Sequence, residues 1–278
     1  MVTNKHNLPQ SIVNLVKDKE YVENRYSVTE LLGSTREILL SRKYANKIEV
    51  DVSDTITALF GSAVHKLLEE ADSENAEVKM EYTYDNITIV GVADKITDDA
   101  IEDYKTTSVS KVQRSDFSDW RDQGLAYAWL RFKTTGEIKR KLRFYALLKD
   151  WSKVRYANSS NYPVTPLFTW EYDISDSDYD YIEKKIKNKV AEIKEGKLLE
   201  CTNEERWYTG TKYAVYAKAG DKRASYVTED EDDAHNYISN KCDGAGWMQV
   251  RKGDYLKCQL YCKVSKFCDQ CKEEHWWH

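Results

Sequence analysis

The stretch GVADKITDDAIEDYKTT, residues 91–107, contains the residues on which the predictions of the fold and of the functional site depend. Val, Ile, Ala and Tyr on either side of the turn-like TDD predict two strands joined as a hairpin. Because alternate residues of a strand share a face, Asp103 and Lys105 point to one side, and Glu102 and Tyr104 point to the other. The turn would bring Asp94 of the first strand into the neighbourhood of Asp103.

Two carboxylates beside one ammonium suggest a metal site. Like charges raise one another's pKa unless a cation lies between them, and oxygen ligands suit Mg²⁺ or Mn²⁺. On this hypothesis Lys105 would orient an attacking water and offset charge that develops on a phosphate. The alternative is an exposed hairpin that carries Asp, Glu and Lys without a special role.

Upstream, apolar residues at three- and four-residue steps predict a helix over 53–72 that carries His65. Imidazole is a good Mn²⁺ ligand, although a helix histidine is also a common core or surface residue. Gly61, four residues earlier, permits close approach of another element, because glycine has no side chain. Downstream, Gln123 and Tyr127 are four residues apart and therefore share a helix face.

Helices and strands alternate along the chain. Helices are predicted over 26–44, 53–72, 115–136 and 175–196, with strands around VKMEYTY, ITIVGVADKI, AIEDYKTT, KRKLRFYALLKD and LFTWEYDI. This order is typical of an α/β domain with a mixed central sheet flanked by helices.

After residue 207 the character of the sequence changes. Residues 208–253 predict a hairpin, a helix and a strand, which together form a small ββαβ insert. The cysteine-rich segment 254–278 follows and is expected to pack on the core. The predicted organisation is therefore a core over 1–207, the insert, and the C-terminal segment.

Four short motifs, FGSAVH, EYTY…ITIVGVAD, IEDYKT and QGLAY, occur in an order that resembles the RecB-type branch of the PD-(D/E)xK nuclease superfamily. The similarity covers roughly residues 26–200. That branch is similar to the nuclease domains of recombination helicases, to CRISPR-adaptation exonucleases and to small phage nucleases. The resemblance implies a restriction-endonuclease-like sheet and a Mg²⁺- or Mn²⁺-dependent deoxyribonuclease.

The resemblance also implies the role of each residue in the site. It implies the metal ligands His65, Asp94, Asp103 and the Tyr104 carbonyl, and the catalytic residues Asp94, Asp103, Lys105, Gln123 and Tyr127. Every motif residue is present, which argues against an inactive relative.

The cysteines depart from the family pattern. Iron–sulfur members of the family have one cysteine before the nuclease motifs and three near the C-terminus, whereas all six cysteines here follow residue 200. The tail reads Cys258-x₃-Cys262-x₅-Cys268-x₂-Cys271. These thiolates could hold Zn²⁺ or an Fe–S cluster, or could bind no metal and pack the tail.

The formal net charge of −5 argues against indiscriminate binding to nucleic acid, but the charge is unevenly distributed. Nine basic residues and only two acids lie between Arg131 and Tyr162. Within this segment we predict a DNA contact surface at Arg131, Lys133, Lys139, Arg140 and Lys141. A solvated basic face is the alternative.

The insert mixes aromatic and basic residues. Its six aromatic residues would either stack the bases of a single strand or form the core of the insert; they are Tyr208, Tyr213, Tyr216, Tyr226, Tyr237 and Trp247. The acidic run TEDEDD would cap a helix or contact a protein partner in recombination or replication.

No apolar run reaches membrane-spanning length, and the N-terminal residues lack the plan of a signal peptide, so we expect a cytoplasmic protein, in the host cell if it is phage-encoded. The expected function is a metal-dependent exonuclease that trims DNA ends in phage or mobile-element recombination and replication. The alternatives are a non-catalytic factor that binds DNA ends or proteins, and an endonuclease acting on flaps or branched DNA.

Overall fold

A computed structural model describes residues 1–16, 19–72 and 76–272. The chain divides into two compact units, Met1–Leu198 and a second that begins at Leu199. The domain boundaries predicted at residues 207 and 253 stay predictions.

Ten α-helices and eleven strands are formed by the described residues. The helices are α1 Gln10–Val13, α2 Val28–Leu31, α3 Thr35–Lys43, α4 Val52–Ala71, α5 Val109–Arg114, α6 Ser118–Thr135, α7 Lys153–Asn158, α8 Asp176–Glu195, α9 Glu231–Lys241 and α10 Asp269–Lys272. The strands are β1 Val2–Thr3, β2 Arg25–Ser27, β3 Val50–Asp51, β4 Ala76–Tyr84, β5 Ile87–Ile96, β6 Ala100–Thr107, β7 Lys141–Leu148, β8 Leu167–Asp173, β9 Lys212–Tyr216, β10 Tyr226–Thr228 and β11 Trp247–Arg251. None of these helices is long and apolar enough to cross a membrane.

The first unit is built on a six-stranded mixed sheet. Its order is β2-β5-β6-β7-β8, and β4 pairs with β5 in addition. β2–β5 and β6–β7 are parallel, while the other pairs are antiparallel. The buried face of the sheet shares one core with α6 and α8. The predicted α/β class, a mixed central sheet flanked by helices, is therefore confirmed.

Strand β5 has three partners for its two edges, and this sets the position of the site. β4 pairs along most of β5, so that β2 and β6 must share the opposite edge. β2 pairs only as far as Val90, and β6 pairs only at Lys95 and Ile96. Among the described strands, none pairs with residues 91–94 on that edge, so a gap opens beside Asp94.

The prediction of a single helix over 26–44 was wrong. Residues of this segment first form the end of β2 and then two helices, α2 and α3. Ser27 caps α2 through a capping box with Glu30, and Ser34 caps α3 by accepting from the Glu37 amide. A second capping serine directly after Gly33 begins a new helix, and the apolar pattern of the segment obscures this signal.

The three long helices lie where their periodicity and caps predict. α6 ends at Gly136, which has a left-handed φ of 78°, and α8 ends at Gly196, with φ 65°. Ser175 begins α8 with a capping box that uses Asp178. Glycine favours such C-caps because it has no Cβ to clash.

Helix α6 can approach the sheet closely because of two glycines. A Cβ added at Gly124 would lie 2.8 Å from Leu142, which is fully buried. A Cβ added at Gly91 of β5 would lie 2.8 Å from Leu130 and 3.1 Å from Tyr127. The helix that carries Gln123 and Tyr127 is therefore held at a distance that only glycine permits at these positions.

Gly61 does not have the role predicted for it. A Cβ added there would meet nothing within 4 Å, so no neighbouring element approaches closely at this point. Val52 is the only residue of α4 that is buried, and the helix packs loosely along most of its length.

In the second unit, β10, β9 and β11 form an antiparallel sheet that packs against α9. The order of hairpin, helix and strand agrees with the sequence prediction. Asp230 caps α9, and three further acids occupy its first turn, so the acidic run acts as a helix cap. Tyr226 stacks on Tyr237 at 4.5 Å within this core.

The same substitution at two helix glycines should have opposite effects. Gly61→Ala should stabilise the chain by about 1 kcal/mol, because alanine favours helix and the added methyl has free space. Gly124→Ala should instead destabilise it, since overpacking costs about 1–3 kcal/mol and offsets that gain. Urea unfolding followed by tryptophan fluorescence measures both. Equal stabilisation by the two variants would contradict the close packing of α6 on the sheet.

Candidate active site

The gap beside β5 is occupied by the side chain of Asp94. Its Oδ1 lies 3.1 Å from His65 Nδ1 of α4, and its Oδ2 accepts a 2.7 Å hydrogen bond from the Tyr104 amide of β6. The carboxylate thus takes the place of the backbone carbonyl that a paired strand would offer to the Tyr104 amide on this edge. The hydrogen bond to Asp94 raises the pKa of His65, an effect that burial opposes.

Asp103 lies on the other side of the gap and is almost completely buried, with 2% exposure. Burial raises the pKa of this carboxyl to about 6, an effect that the Lys105 charge opposes and the Asp94 charge reinforces. Lys105 Nζ lies 2.5 Å from Asp103 Oδ2. This ion pair is the contact that the structure gives to the buried Oδ2 at the centre of the site.

Lys105 is held from the opposite side by α6. Its Nζ donates to Gln123 Oε1 at 2.9 Å, and Gln123 Nε2 donates to the Tyr127 hydroxyl at 3.0 Å. Burial raises the pKa of Tyr127 to about 12, although the hydrogen bond from Gln123 opposes the shift. The phenol therefore stays neutral at physiological pH and can keep accepting from Gln123.

The neighbouring acids are turned away from the site. Glu102 is buried on the opposite face of β6 and pairs with Arg143 Nη1. Asp99 accepts from the Thr97 hydroxyl in the turn. The structure therefore separates Asp103 from Glu102 in the way that strand alternation predicts.

The donor set suits a hard divalent ion, but it is not arranged as a complete site. Within residues 1–16, 19–72 and 76–272, no three His, Cys, Asp or Glu side chains are positioned to hold a metal ion. Asp94 is occupied by His65 and the Tyr104 amide, and Asp103 by Lys105. Two carboxylates and an imidazole still fit the ligand chemistry of Mn²⁺ or Mg²⁺.

Acidic residues that sequence reasoning missed lie beside His65 and Asp94. A small cavity of about 20 Å³, room for one water, is bordered by these two residues and by Glu69, Asp72 and Glu77. Glu69 follows His65 by four residues on α4, and this spacing indicates from sequence alone that the two side chains share a helix face. Lys95 also borders the cavity and pairs with Asp72, so Glu69 and Glu77 are the acids that add negative charge there.

The residues predicted to contact DNA are already paired within the fold. The ion pairs are Arg131–Glu137, Lys133–Glu183, Lys139–Glu137, Arg140–Asp176 and Lys141–Asp173. Lys139 is also buried, and its Nζ donates to the carbonyl oxygens of Thr97 and Asp98. Their role in DNA binding stays a prediction, but their charges are largely balanced by these acids.

Three of the four C-terminal cysteines lie together. Cys271 is hydrogen-bonded to both Cys258 and Cys268, and all three are buried. The Cys271 hydrogen bond, joined by one from the Arg206 Nε at 3.5 Å, lowers the pKa of Cys258 to about 6, although burial opposes this shift. Cys262 is half-buried. Zinc, an Fe–S cluster and a metal-free thiol cluster stay open alternatives.

Comparisons with known proteins give loose structural similarities. No family model matches the chain, and no curated protein matches its sequence. The crystal structure of SSO0001 is similar with TM-score 0.44 and 16% identity, over 66% of this chain and 82% of that one. An alkaline exonuclease from Laribacter hongkongensis has TM-score 0.35 and 10% identity, over 62% and 89%. A phage-related exonuclease from Haemophilus somnus 129PT has TM-score 0.35 and 14% identity, over 58% and 78%. Because these TM-scores are below 0.5, function is inferred from the side chains of this chain instead.

Removing the Tyr127 hydroxyl should loosen the connection between α6 and Lys105. Tyr127→Phe is expected to lower the free energy of unfolding by about 1 kcal/mol, because the Gln123 amide loses its acceptor. Tyr261→Phe serves as the control, since that residue is 63% exposed and should have no measurable effect. Chemical denaturation compares the two, and an equal effect would show that the hydroxyl contact does not hold Gln123.

Proposed function

We propose that this chain is a metal-dependent deoxyribonuclease of the PD-(D/E)xK type. The observation that carries the proposal is the convergence of Asp94, Asp103 and Lys105 at the unpaired edge of β5. Burial raises the pKa of Asp103 to about 6, and carboxyl groups with raised pKa values that lie beside a specific charge partner cluster at functional sites. The sequence resemblance to RecB-type nucleases points to the same residues.

The metal ligands in this proposal are His65, Asp94, Asp103 and the carbonyl oxygen of Tyr104. A divalent ion bound there would activate water and stabilise negative charge on the scissile phosphate. The contacts of Asp94 with His65 and of Asp103 with Lys105 occupy oxygens that such an ion would use. Binding therefore requires small side-chain rotations, for which the half-buried His65 and Lys105 have room.

Lys105 supplies a positive charge next to the reacting phosphate. Because Gln123 and Asp103 hold its ammonium from two sides, the charge is oriented before substrate arrives. Preoriented charge stabilises a transition state without reorganisation at the moment of reaction. The neutral Tyr127 hydroxyl fixes the orientation of the Gln123 amide.

Within the nuclease class we favour an exonuclease that trims DNA ends in phage or mobile-element recombination and replication. An endonuclease for flaps or branched DNA uses the same chemistry, and a non-catalytic binding factor would keep the fold without cleavage. A protein partner that engages the segment 208–253 stays a prediction. Labelled linear and covalently closed circular DNA separate these functions: an exonuclease degrades only the linear form, an endonuclease opens the circle, and a binding factor cuts neither.

Two adjacent buried acids provide a matched test of the active site. Asp103→Asn should reduce Mn²⁺-dependent cleavage of linear DNA by at least about 100-fold, because a metal ligand and the partner of Lys105 are lost. Glu102→Gln should leave cleavage near the parent level, since its side chain lies on the opposite face of β6 and glutamine can still accept from Arg143. Cleavage by Asp103→Asn at the parent rate would refute the proposed site.

Metal binding can be measured separately from cleavage. Mn²⁺ at about 100 times its dissociation constant should stabilise the parent chain by about 2.7 kcal/mol, detected as a rise in Tm. Asp94→Asn should lose most of this rise, whereas Asp98→Asn in the exposed turn should keep it. An equal rise in Asp94→Asn would place the ion elsewhere in the chain.

A further inference from the structure

The segment 149–166, which follows β7 and contains the short helix α7, is anchored beside the end of β6. The Lys149 amide donates to the Thr107 carbonyl at 2.9 Å, and the Val109 amide donates to Asp150 Oδ1 at 2.7 Å. Trp151 Nε1 donates to the Pro163 carbonyl, and the Tyr162 hydroxyl accepts from the Ser152 amide. These hydrogen bonds fix the backbone from which the exposed side chains of this segment project.

Three exposed cations project from the loop, and no acid pairs with them. Among the residues that the structure describes, Lys149, Lys153 and Arg155 have no carboxylate within ion-pair distance. In contrast, all five residues of the predicted DNA surface at 131–141 have acidic partners. Unpaired cations bind phosphate more strongly than paired ones, because no internal ion pair has to be broken first.

The loop begins close to the proposed catalytic residues. Lys149 is hydrogen-bonded to Thr107, which follows Lys105 by two residues on β6. With a rise of about 3.3 Å per residue and a strand spacing of about 4.8 Å, the Lys149 backbone lies on the order of 10 Å from that of Lys105. This is the distance of one or two phosphates along an extended single strand.

The aromatic residue Tyr156 follows Arg155 directly on α7 and lies three residues after Lys153. The Tyr156 ring stacks on Trp151, with centroids 6.3 Å apart and planes at 28°, and the residue is 42% exposed. Exposed rings interleaved with basic residues are the elements of a binding track for single-stranded nucleic acid, in which bases stack on the rings.

We propose that Lys149, Lys153, Arg155 and Tyr156 form a binding track for the single-stranded part of the DNA substrate. Lys153 and Tyr156 are three residues apart and share a face of α7, where the lysine contacts a phosphate and the tyrosine stacks an unpaired base. Lys149 and the long Arg155 side chain contact phosphates on either side. A single strand is favoured over a duplex because the bases of a duplex are stacked on one another and cannot lie on Tyr156. This inference rests on the proposed nuclease function and assigns its substrate surface to residues other than 131–141.

The test measures binding without cleavage. In an Asp103→Asn background with EDTA, fluorescence anisotropy of a labelled oligo-dT strand is recorded over a range of salt concentrations. Replacing Lys149, Lys153 and Arg155 by alanine should make the slope of log K against log salt less steep by about 2, because each lost phosphate contact removes about 0.7. Alanine at Lys184, Lys187 and Lys194 of α8 removes the same charge elsewhere and should leave the slope unchanged.

Two further variants examine the choice of strand and surface. Tyr156→Ala should weaken binding to the single strand about tenfold, and should leave duplex binding unchanged. The inference is overturned if the slope keeps its parent value in the Lys149, Lys153 and Arg155 variant. It is also overturned if alanine at Arg131, Lys133 and Arg140 produces the loss of slope instead.

The outcomes distinguish this surface from the nuclease proposal. Metal-dependent cleavage by the parent chain, together with an unchanged slope in the loop variant, overturns the track and leaves the nuclease standing. A parent chain that neither cuts nor binds DNA overturns both.

Discussion

The edge of β5 that β2 and β6 share is the constraint on which the rest of the site depends. A fully paired edge would bury the backbone at 91–94 against another strand and leave no room for a side chain between β5 and β6. Since the two partners stop short of one another, the Asp94 carboxylate takes the hydrogen bond of the Tyr104 amide. Asp94 and Asp103 consequently face each other across an opening in an otherwise continuous sheet.

At this opening, the buried carboxylate that suits the proposed site lowers the stability of the fold. Asp103 is buried at the cost of a raised pKa, and the charge of Lys105 offsets that of the carboxylate only in part. The surrounding core supplies the rigidity that such a carboxylate needs, through the close packing of α6 at Gly124. A divalent cation would relieve a charge arrangement that folding alone leaves unfavourable.

A stretch of this chain that is basic in sequence does not necessarily form a basic surface, because the fold can pair its charges with acids. The basic segment after Arg131 looks continuous in sequence, but α8 and β8 bring acids to its first half. Within the part of the chain that the structure describes, Lys149, Lys153 and Arg155 receive no such partner. An ion pair such as Lys133–Glu183 joins residues fifty positions apart, and a sequence window cannot detect it.

The sequence by itself determined the local structure and the faces of the strands. Periodicity and caps located α4, α6 and α8, and strand alternation separated Asp103 and Lys105 from Glu102, because these depend on residues within one or two turns of each other. The break between α2 and α3 was missed, since Ser34 is a capping signal that an apolar pattern obscures. Only the tertiary structure decided that β5 has an open edge, that Gly61 faces free space, and which cations remain unpaired. Those features depend on strand order and on contacts between residues far apart in sequence, which local patterns do not encode.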